Sequence, residues 1–91
     1  MSTPSLRIFV LNVPEFAPLA AAARSLPACQ VVDHGDYTVI TSSEPVVFER
    51  RALELKPAVW YGLFTGGLDG KIDTFGRDTV RVVPRRHGEQ P

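Results

Sequence analysis

The residues best suited to chemistry in this chain form a histidine flanked by two carboxylates, Asp33-His34-Gly35-Asp36. An imidazole held by an acid could serve as a general base, or as one ligand of a metal site. The same four residues are also typical of an exposed hairpin turn, because Asp and Gly favour turns. A metal site needs three or four ligands at a distinctive spacing, and the sequence shows no such set. We therefore predict a structural turn and no metal, with His34 and Asp36 as candidates for a polar site.

Arg50 is the third candidate for that polar site, because with Arg51 it could bind an acidic group of a substrate. Arg50 and Arg51 are followed closely by Glu54. Charges of opposite sign at this spacing are usual on the solvated side of a helix. The simpler interpretation is therefore an exposed, partly paired surface.

The glycine-rich stretch 66–71, Gly-Gly-Leu-Asp-Gly-Lys, has some features of a phosphate-binding loop. Three observations argue against that function. Thr65 stands where the motif needs its first glycine, Ile72 stands where it needs Ser or Thr, and a strand is predicted to follow instead of a helix. We predict a helix cap followed by a turn, and no cofactor.

Trp60 and Tyr61 are the aromatic residues most suited to an interface or an apolar pocket, because each combines a large apolar ring with a polar group. On a helix, adjacent side chains point about 100° apart, so the two would face different neighbours. Gly62 follows them. A glycine costs about 1 kcal/mol relative to alanine within a helix. Its simplest use is to allow another element or a ligand to approach closely.

Composition excludes several classes of function. Ten basic and ten acidic residues cancel, so the chain lacks the basic excess that drives nonspecific binding to nucleic acid. The single cysteine, Cys29, allows no intramolecular disulfide, and its apolar neighbours predict a buried thiol. We find neither a signal-peptide pattern nor an apolar run of about 20 residues. We therefore expect a cytoplasmic protein without a membrane or nucleic-acid partner.

The first half of the chain predicts a strand, a helix and a β-hairpin. Residues 6–11 are apolar on both alternating faces, which is typical of a central strand. Residues 14–17 predict a turn, because Pro18 would be awkward inside a longer helix. Apolar residues then recur on one helical face up to Pro27. Strands at 29–33 and 37–41 follow, joined by a two-residue His34-Gly35 loop.

Residues 45–65 predict a helix with two apolar faces, split in two by Pro57 at about residues 45–55 and 57–65. One face carries Phe48, Ala52, Leu55, Val59 and Leu63, and the other carries Val46, Leu53, Trp60 and Phe64. Residues 45–50 also fit a strand that pairs back on residues 37–41. The sequence leaves open whether 45–50 is helix or strand, and we favour the helix.

Residues 71–75 and 78–83 predict a last hairpin, closed by a Gly76-Arg77 loop. The resulting order is β-α-β-β-α-β-β, and its first six elements resemble those of ferredoxin-like folds. We predict a single α+β domain, residues 1–91. Its antiparallel sheet is covered on one face by helices, and residues 1–4 and 85–91 are expected to be flexible tails.

The second apolar face of the predicted helix supports our first functional hypothesis. A chain of 91 residues could hardly cover that face alone. We therefore predict a non-catalytic interaction protein, either a homodimer or the accessory subunit of a larger enzyme. The interface would include Val46, Leu53, Trp60, Tyr61, Gly62 and Phe64. The alternative is a small enzyme or binding module for an aromatic or carboxylic metabolite, with an apolar pocket between the sheet and the kinked helix.

Overall fold

Two antiparallel sheets and three short helices form the part of the chain that the computed structural model describes, residues 5–64 and 66–84. The predicted tails, 1–4 and 85–91, lie outside the described residues. The α+β class is confirmed. The single predicted sheet is corrected to two, with four strands in one and three in the other among these residues. No helix in the described ranges is long and apolar enough to span a membrane.

The four-stranded sheet has the order β2-β3-β1-β5, with every neighbouring pair antiparallel. Its strands are β1 (Leu6–Leu11), β2 (Cys29–Asp33), β3 (Tyr37–Ser42) and β5 (Leu68–Asp69). Residues 6–11 were predicted to be a central strand, and β1 does lie between two neighbours. However, only its inward side chains, Leu6, Ile8 and Val10, are fully buried. The other side of this sheet is therefore open.

The first helix confirms the prediction from the sequence. A 3-10 turn at Pro14–Phe16 leads into α1 (Ala17–Arg24), which has Pro18 in its first turn. Proline is tolerated there because the first N–H groups of a helix have no partner within the helix. Leu19, Ala20 and Ala23 are buried on one face of α1. Since alanine is small, this face packs close to the sheet.

Residues 46–49 form a strand, so the predicted helix over 45–55 is wrong in its first part, and only residues 50–53 are helical. The strand is β4 (Val46–Glu49), and its side chains alternate between buried and exposed. Its partner is β7 (Thr79–Val83), not residues 37–41. With β6 (Lys71–Phe75) it makes a three-stranded sheet in the order β4-β7-β6. The helix prediction failed because β-branched Val46 and Val47 prefer a pleated surface, where alternation alone buries Val46 and Phe48.

The break at Pro57 is confirmed, but both helical pieces are a single turn long. They are α2 (Arg50–Leu53) and α3 (Pro57–Trp60), with Pro57 at the start of α3. Glu54 ends α2 in the left-handed conformation, with φ 56°. The predicted helix over 57–65 therefore ends early, and residues 61–64 are turns.

A single core joins the two sheets. Ile8 and Ile40 from the four-stranded sheet pack in one cluster with Val80 and Val82 from the three-stranded sheet, and with Leu19 of α1. Gly70 is the corner at which the chain passes from β5 to β6. A side chain there would stand 3.0 Å from Leu6 Cβ and 3.3 Å from the Val83 carbonyl. A side chain at this corner would therefore be tightly packed, and its neighbours would have to shift by a few tenths of an ångström.

Both predicted hairpin loops are displaced by one residue. In the first hairpin His34 pairs with Tyr37 through a 2.8 Å backbone bond, which leaves Gly35 and Asp36 as the loop. In the second, the Gly76 N–H donates to the Thr79 carbonyl at 2.8 Å, and Arg77 and Asp78 form the loop. Gly35 takes φ 96°, which suits the first loop position of a tight hairpin turn.

Candidate functional site

The side of the four-stranded sheet that points away from the core carries a continuous apolar surface. We call it the outer face and define it by Phe9, Leu11, Val32, Tyr37 and Val39. Val39 of β3 lies between Val32 on β2 and Phe9 on β1, and Leu11 lies opposite Tyr37. Val32 is 50% exposed, Leu11 44% and Tyr37 39%. This is apolar area left in contact with water.

The outer face has a polar border at each end. At one end Arg7 donates to Asp69 across the β1–β5 pair at 2.9 Å, and Gln30 and Thr41 lie in the same row. At the other end the His34 ring stacks on Tyr37, with centroids 5.0 Å apart and planes 17° apart. An apolar centre with a polar rim is the usual anatomy of a protein interface.

The corresponding side of the three-stranded sheet is different. Its rows pair Val47 with Arg81 and Glu49 with Thr79, and Arg81 also reaches Asp73 at 2.7 Å. Of these residues only Val47 is apolar, and Ile72 of β6, 43% exposed, is the other large apolar side chain that this sheet leaves in water. The contrast between the two sheets singles out the outer face of the four-stranded sheet as the candidate docking surface.

The residues of the second predicted apolar face do not share one surface in the structure. Val46, Leu53 and Trp60 are buried in the core of the single chain, with Trp60 at 0% exposure. The Trp60 indole Nε1 donates to the Gly76 carbonyl at 2.9 Å. These three residues contact their own chain, so they are not left for a partner to cover.

The other predicted aromatic residues surround Phe75, which sequence reasoning missed. Phe64 packs edge-on against the Phe75 ring at 5.5 Å, and Tyr61 stacks on it at 5.8 Å. Tyr61 is 58% exposed, so it covers this cluster from outside. Gly62 is partly buried in the turn after α3, where its N–H donates to the Val59 carbonyl at 3.0 Å.

The predicted polar residues do not form one site. His34 and Asp36 belong to the β2–β3 turn, whereas Arg50 stands at the start of α2. Arg50 is bound on three sides: Nη2 donates to Asp78 at 2.7 Å, Nη1 to the Leu55 carbonyl at 3.1 Å, and Nε to the Arg77 carbonyl at 3.2 Å. Its role is to hold the β6–β7 loop against α2. The Arg50 guanidinium in turn lowers the pKa of the Asp78 carboxyl by hydrogen bonding.

Asn12 is the polar residue that sequence reasoning did not select. Its Nδ2 donates to Asp33 Oδ1 at 3.0 Å and to the Gly35 carbonyl at 2.8 Å, and Thr38 Oγ1 donates to Asn12 Oδ1 at 2.6 Å. The Asn12 N–H also donates to the Asp36 carbonyl at 3.0 Å. One side chain thus ties the end of β1 to the β2–β3 turn. The available signal in the sequence was an asparagine directly after a predicted strand.

Two depressions lie on either side of α1. The first, of about 340 Å³, is bounded by the end of β1, the Pro14–Phe16 turn and the side of α1 near Arg24. The second, of about 390 Å³, lies between α1 and strand β4, with Leu26 and Val47 on its walls. Neither depression has Trp60 or Tyr61 on its walls.

Cys29 and the acidic residues offer little reactive chemistry. Burial raises the pKa of the Cys29 thiol, so less of the nucleophilic thiolate is present at neutral pH. Within residues 5–64 and 66–84 no group of three or more His, Cys, Asp or Glu side chains is placed to hold a metal ion.

Comparison with protein-family models found no family that matches the chain, and a search of curated proteins found no similar sequence.

Proposed function

We propose that this protein is a non-catalytic interaction protein whose docking surface is the outer face, and that its partner is a second copy of the same chain. The observation that carries the proposal is the unbroken apolar surface from Val32 through Val39 to Phe9, on the side of the sheet opposite the core. Covering exposed apolar area is the main favourable term in protein association.

The charges of the outer face support a second copy as the partner. Arg7 and Asp69 balance each other within one chain, and the chain as a whole has no formal net charge. Two copies facing each other therefore meet no net electrostatic repulsion. A twofold arrangement would pack one sheet on the other at about 30°, which is a common angle between stacked sheets.

The size of the outer face predicts a weak dimer. With strands spaced about 4.8 Å and about five residues per strand, the sheet covers on the order of 300 Å². A standard stable interface buries about 800 Å² per partner. We therefore expect dissociation in the micromolar range or weaker. An accessory-subunit role would use the same surface with a larger partner.

The strand order supports a finer proposal for the fold. In the order β2-β3-β1-β5, β3 lies between β1 and β2, and β1 lies between β3 and β5. This order supports a ferredoxin-like sheet in which β4, α2 and α3 are inserted before a last strand of two residues. A single partly buried cysteine is compatible with a reducing compartment, and on that basis we propose a cytoplasmic location.

The test compares two matched variants, Val32→Glu on the outer face and Val47→Glu on the three-stranded sheet. The two valines are equally exposed, at 50% and 48%, so each variant adds the same charge to a similar position. Sedimentation velocity from about 10 µM to about 1 mM covers the expected dissociation range. We expect concentration-dependent association in the wild type and in V47E, and loss of association in V32E.

A wild-type protein that stays monomeric over the whole range would overturn the homodimer proposal. Association that V47E removes and V32E leaves intact would move the interface to the other sheet. Far-ultraviolet circular dichroism of both variants checks that the sheets remain folded.

A further inference from the structure

The 340 Å³ depression beside α1, called the cavity below, has a mixed lining and shares only Leu11 with the outer face. Val10, Val13, Phe16 and Ala20 supply apolar surface, while Arg24 and Asp33 supply one positive and one negative charge. Its volume lies near the lower end of the volumes found for small-molecule pockets.

The charged groups of this cavity have unused bonding capacity. Arg24 forms no ion pair with any acid in residues 5–64 and 66–84. Asp33 Oδ1 accepts bonds from Asn12 Nδ2 and from the Gly35 N–H, at 3.0 and 2.7 Å. Within the described ranges Oδ2 receives no hydrogen bond, so it is available to a ligand.

Hydrogen bonds within the chain orient the Asp33 carboxylate without a ligand. Asn12 fixes the carboxylate, and Thr38, which is buried, fixes the Asn12 amide through the 2.6 Å bond to Oδ1. A site whose polar groups are already oriented loses less freedom when it binds a ligand. The Asn12 hydrogen bonds thus have a use beyond closing the hairpin.

We propose that this cavity binds a small zwitterion with an apolar side chain, of the free amino-acid class. The ligand carboxylate pairs with the Arg24 guanidinium, its ammonium group pairs with Asp33 Oδ2, and its side chain lies against Val13 and Phe16. A monocarboxylate would meet the Asp33 charge without compensation, and a simple amine would meet the Arg24 charge. Because both pairs are open to solvent, the affinity is low.

The experiment is a titration of ¹⁵N-labelled protein followed by amide chemical shifts. The probes are L-leucine, 4-methylpentanoate, which keeps only the carboxylate, and 3-methylbutylamine, which keeps only the ammonium group. We expect L-leucine to shift the amides of Phe16, Ala20 and Arg24 in a saturable way, at lower concentration than either analogue. Equal responses to the three probes, or no saturable shift with L-leucine, would overturn the proposal.

Variants of Arg24 and Asp33 test whether these two side chains supply the charges that bind the ligand. Arg24→Gln and Asp33→Asn should each weaken L-leucine binding about two- to fivefold, as expected for loss of one exposed charge pair. Arg24→Lys should retain more binding than Arg24→Gln. Arg51→Gln, an exposed arginine on α2, is the control and should bind as the wild type does; an equal loss in this variant would contradict the assignment.

The outcome is independent of the homodimer proposal. The same titration on the Val32→Glu variant uses a chain whose outer face is disrupted. Retained L-leucine binding there would show that the cavity acts without the dimer. L-leucine binding that weakens as the wild-type protein is diluted below the range in which it associates would contradict a site built within one chain.

Discussion

Trp60 is the largest fully buried side chain, and it lies where α3 meets the β6–β7 hairpin. Its indole donates to the Gly76 carbonyl at 2.9 Å, and its ring meets Phe75 edge-on at 5.8 Å. The residue therefore joins two segments by both a hydrogen bond and packing. Its contribution is to stability, not to a binding surface.

Replacing Trp60 by Phe should lower the free energy of unfolding by about 2–4 kcal/mol, because a cavity forms and the Gly76 carbonyl loses its donor. Urea denaturation followed by circular dichroism measures the change. Tyr61→Phe is the control, because its ring is more than half exposed, and should stay within about 0.5 kcal/mol of the wild type. A W60F protein as stable as that control would contradict this role.

Gly66 is needed because its backbone lies very close to the backbone of Phe9. A Cβ at this position would overlap the carbonyl group of Phe9 in β1. The next residue, Gly67, accepts a hydrogen bond from the Phe9 N–H at 3.0 Å, so the loop cannot move away without losing that bond. Gly66 and Gly67, which belong to the stretch with some features of a phosphate-binding loop, allow the chain to pack closely against β1.

Gly66→Ala should therefore destabilise the fold by about 1–3 kcal/mol, the usual range for overpacking. Gly76→Ala is the matched control, because a Cβ there would lie 3.6 Å from the Thr79 carbonyl, an ordinary contact. Thermal unfolding of the two variants compares them directly. Equal melting temperatures would show that the loop adjusts freely.

At the scale of elements, the link between Arg50 and Asp78 joins the start of α2 to the β6–β7 loop. The Arg50 N–H donates to the Asp78 carbonyl at 2.7 Å, and its side chain donates to the Asp78 carboxylate at 2.7 and 3.1 Å. Such charge-assisted pairs are stronger than neutral hydrogen bonds. A helix of one turn with no side-chain cap depends on this anchor.

Stability should fall in acid partly because of Asp78. Hydrogen bonding to Arg50 lowers its pKa below the ordinary value of 3.8. The pair therefore stabilises the fold fully above pH 3.8, and its contribution is lost as the pH falls from there through the lower folded pKa. Asp78→Asn should reduce the loss of stability between pH 5 and pH 2.5, as measured by urea midpoints.

A double-mutant cycle with Arg50→Gln identifies the partner. The coupling between the two substitutions should be present at pH 7 and should shrink as the pH falls below 3.8 and the carboxyl takes up a proton. Coupling that is unchanged by pH would contradict an ionic origin.

At the scale of the whole molecule, the two sheets should unfold together. Their inward faces contribute to one cluster, in which Ile8 and Ile40 lie with Val80 and Val82. Neither sheet has a separate core, so neither gains enough from burial to remain folded alone.

Native-state hydrogen exchange tests this cooperativity. The amides of Ile40 in β3 and Val80 in β7 should exchange with the same free energy of opening, equal to that of global unfolding. Measurements at one low protein concentration keep association from contributing. A difference of more than about 2 kcal/mol would indicate that one sheet opens independently.

Local chemistry was sufficient to predict the elements whose signals are short-range. The break at Pro57, the turn before α1, the buried face of α1 and the two hairpins all follow from proline geometry, helical spacing and glycine. Each hairpin loop lies one residue later than predicted. His34 pairs with Tyr37, and Gly76 pairs with Thr79, so the residue predicted to begin each loop belongs to the paired strands instead.

Sequence alone thus determined the α+β class, the absence of net charge and the elements marked by proline, glycine or regular spacing, since these depend on composition and on neighbours along the chain. Tertiary structure decided the rest. Residues 45–50 satisfied both a helical stripe and an alternating strand, and only pairing with β7 selected the strand. That choice placed Val46 and Trp60 in the core, and left the apolar face of the other sheet open. Which apolar side chains meet water depends on contacts between residues distant in sequence, and local periodicity cannot encode them.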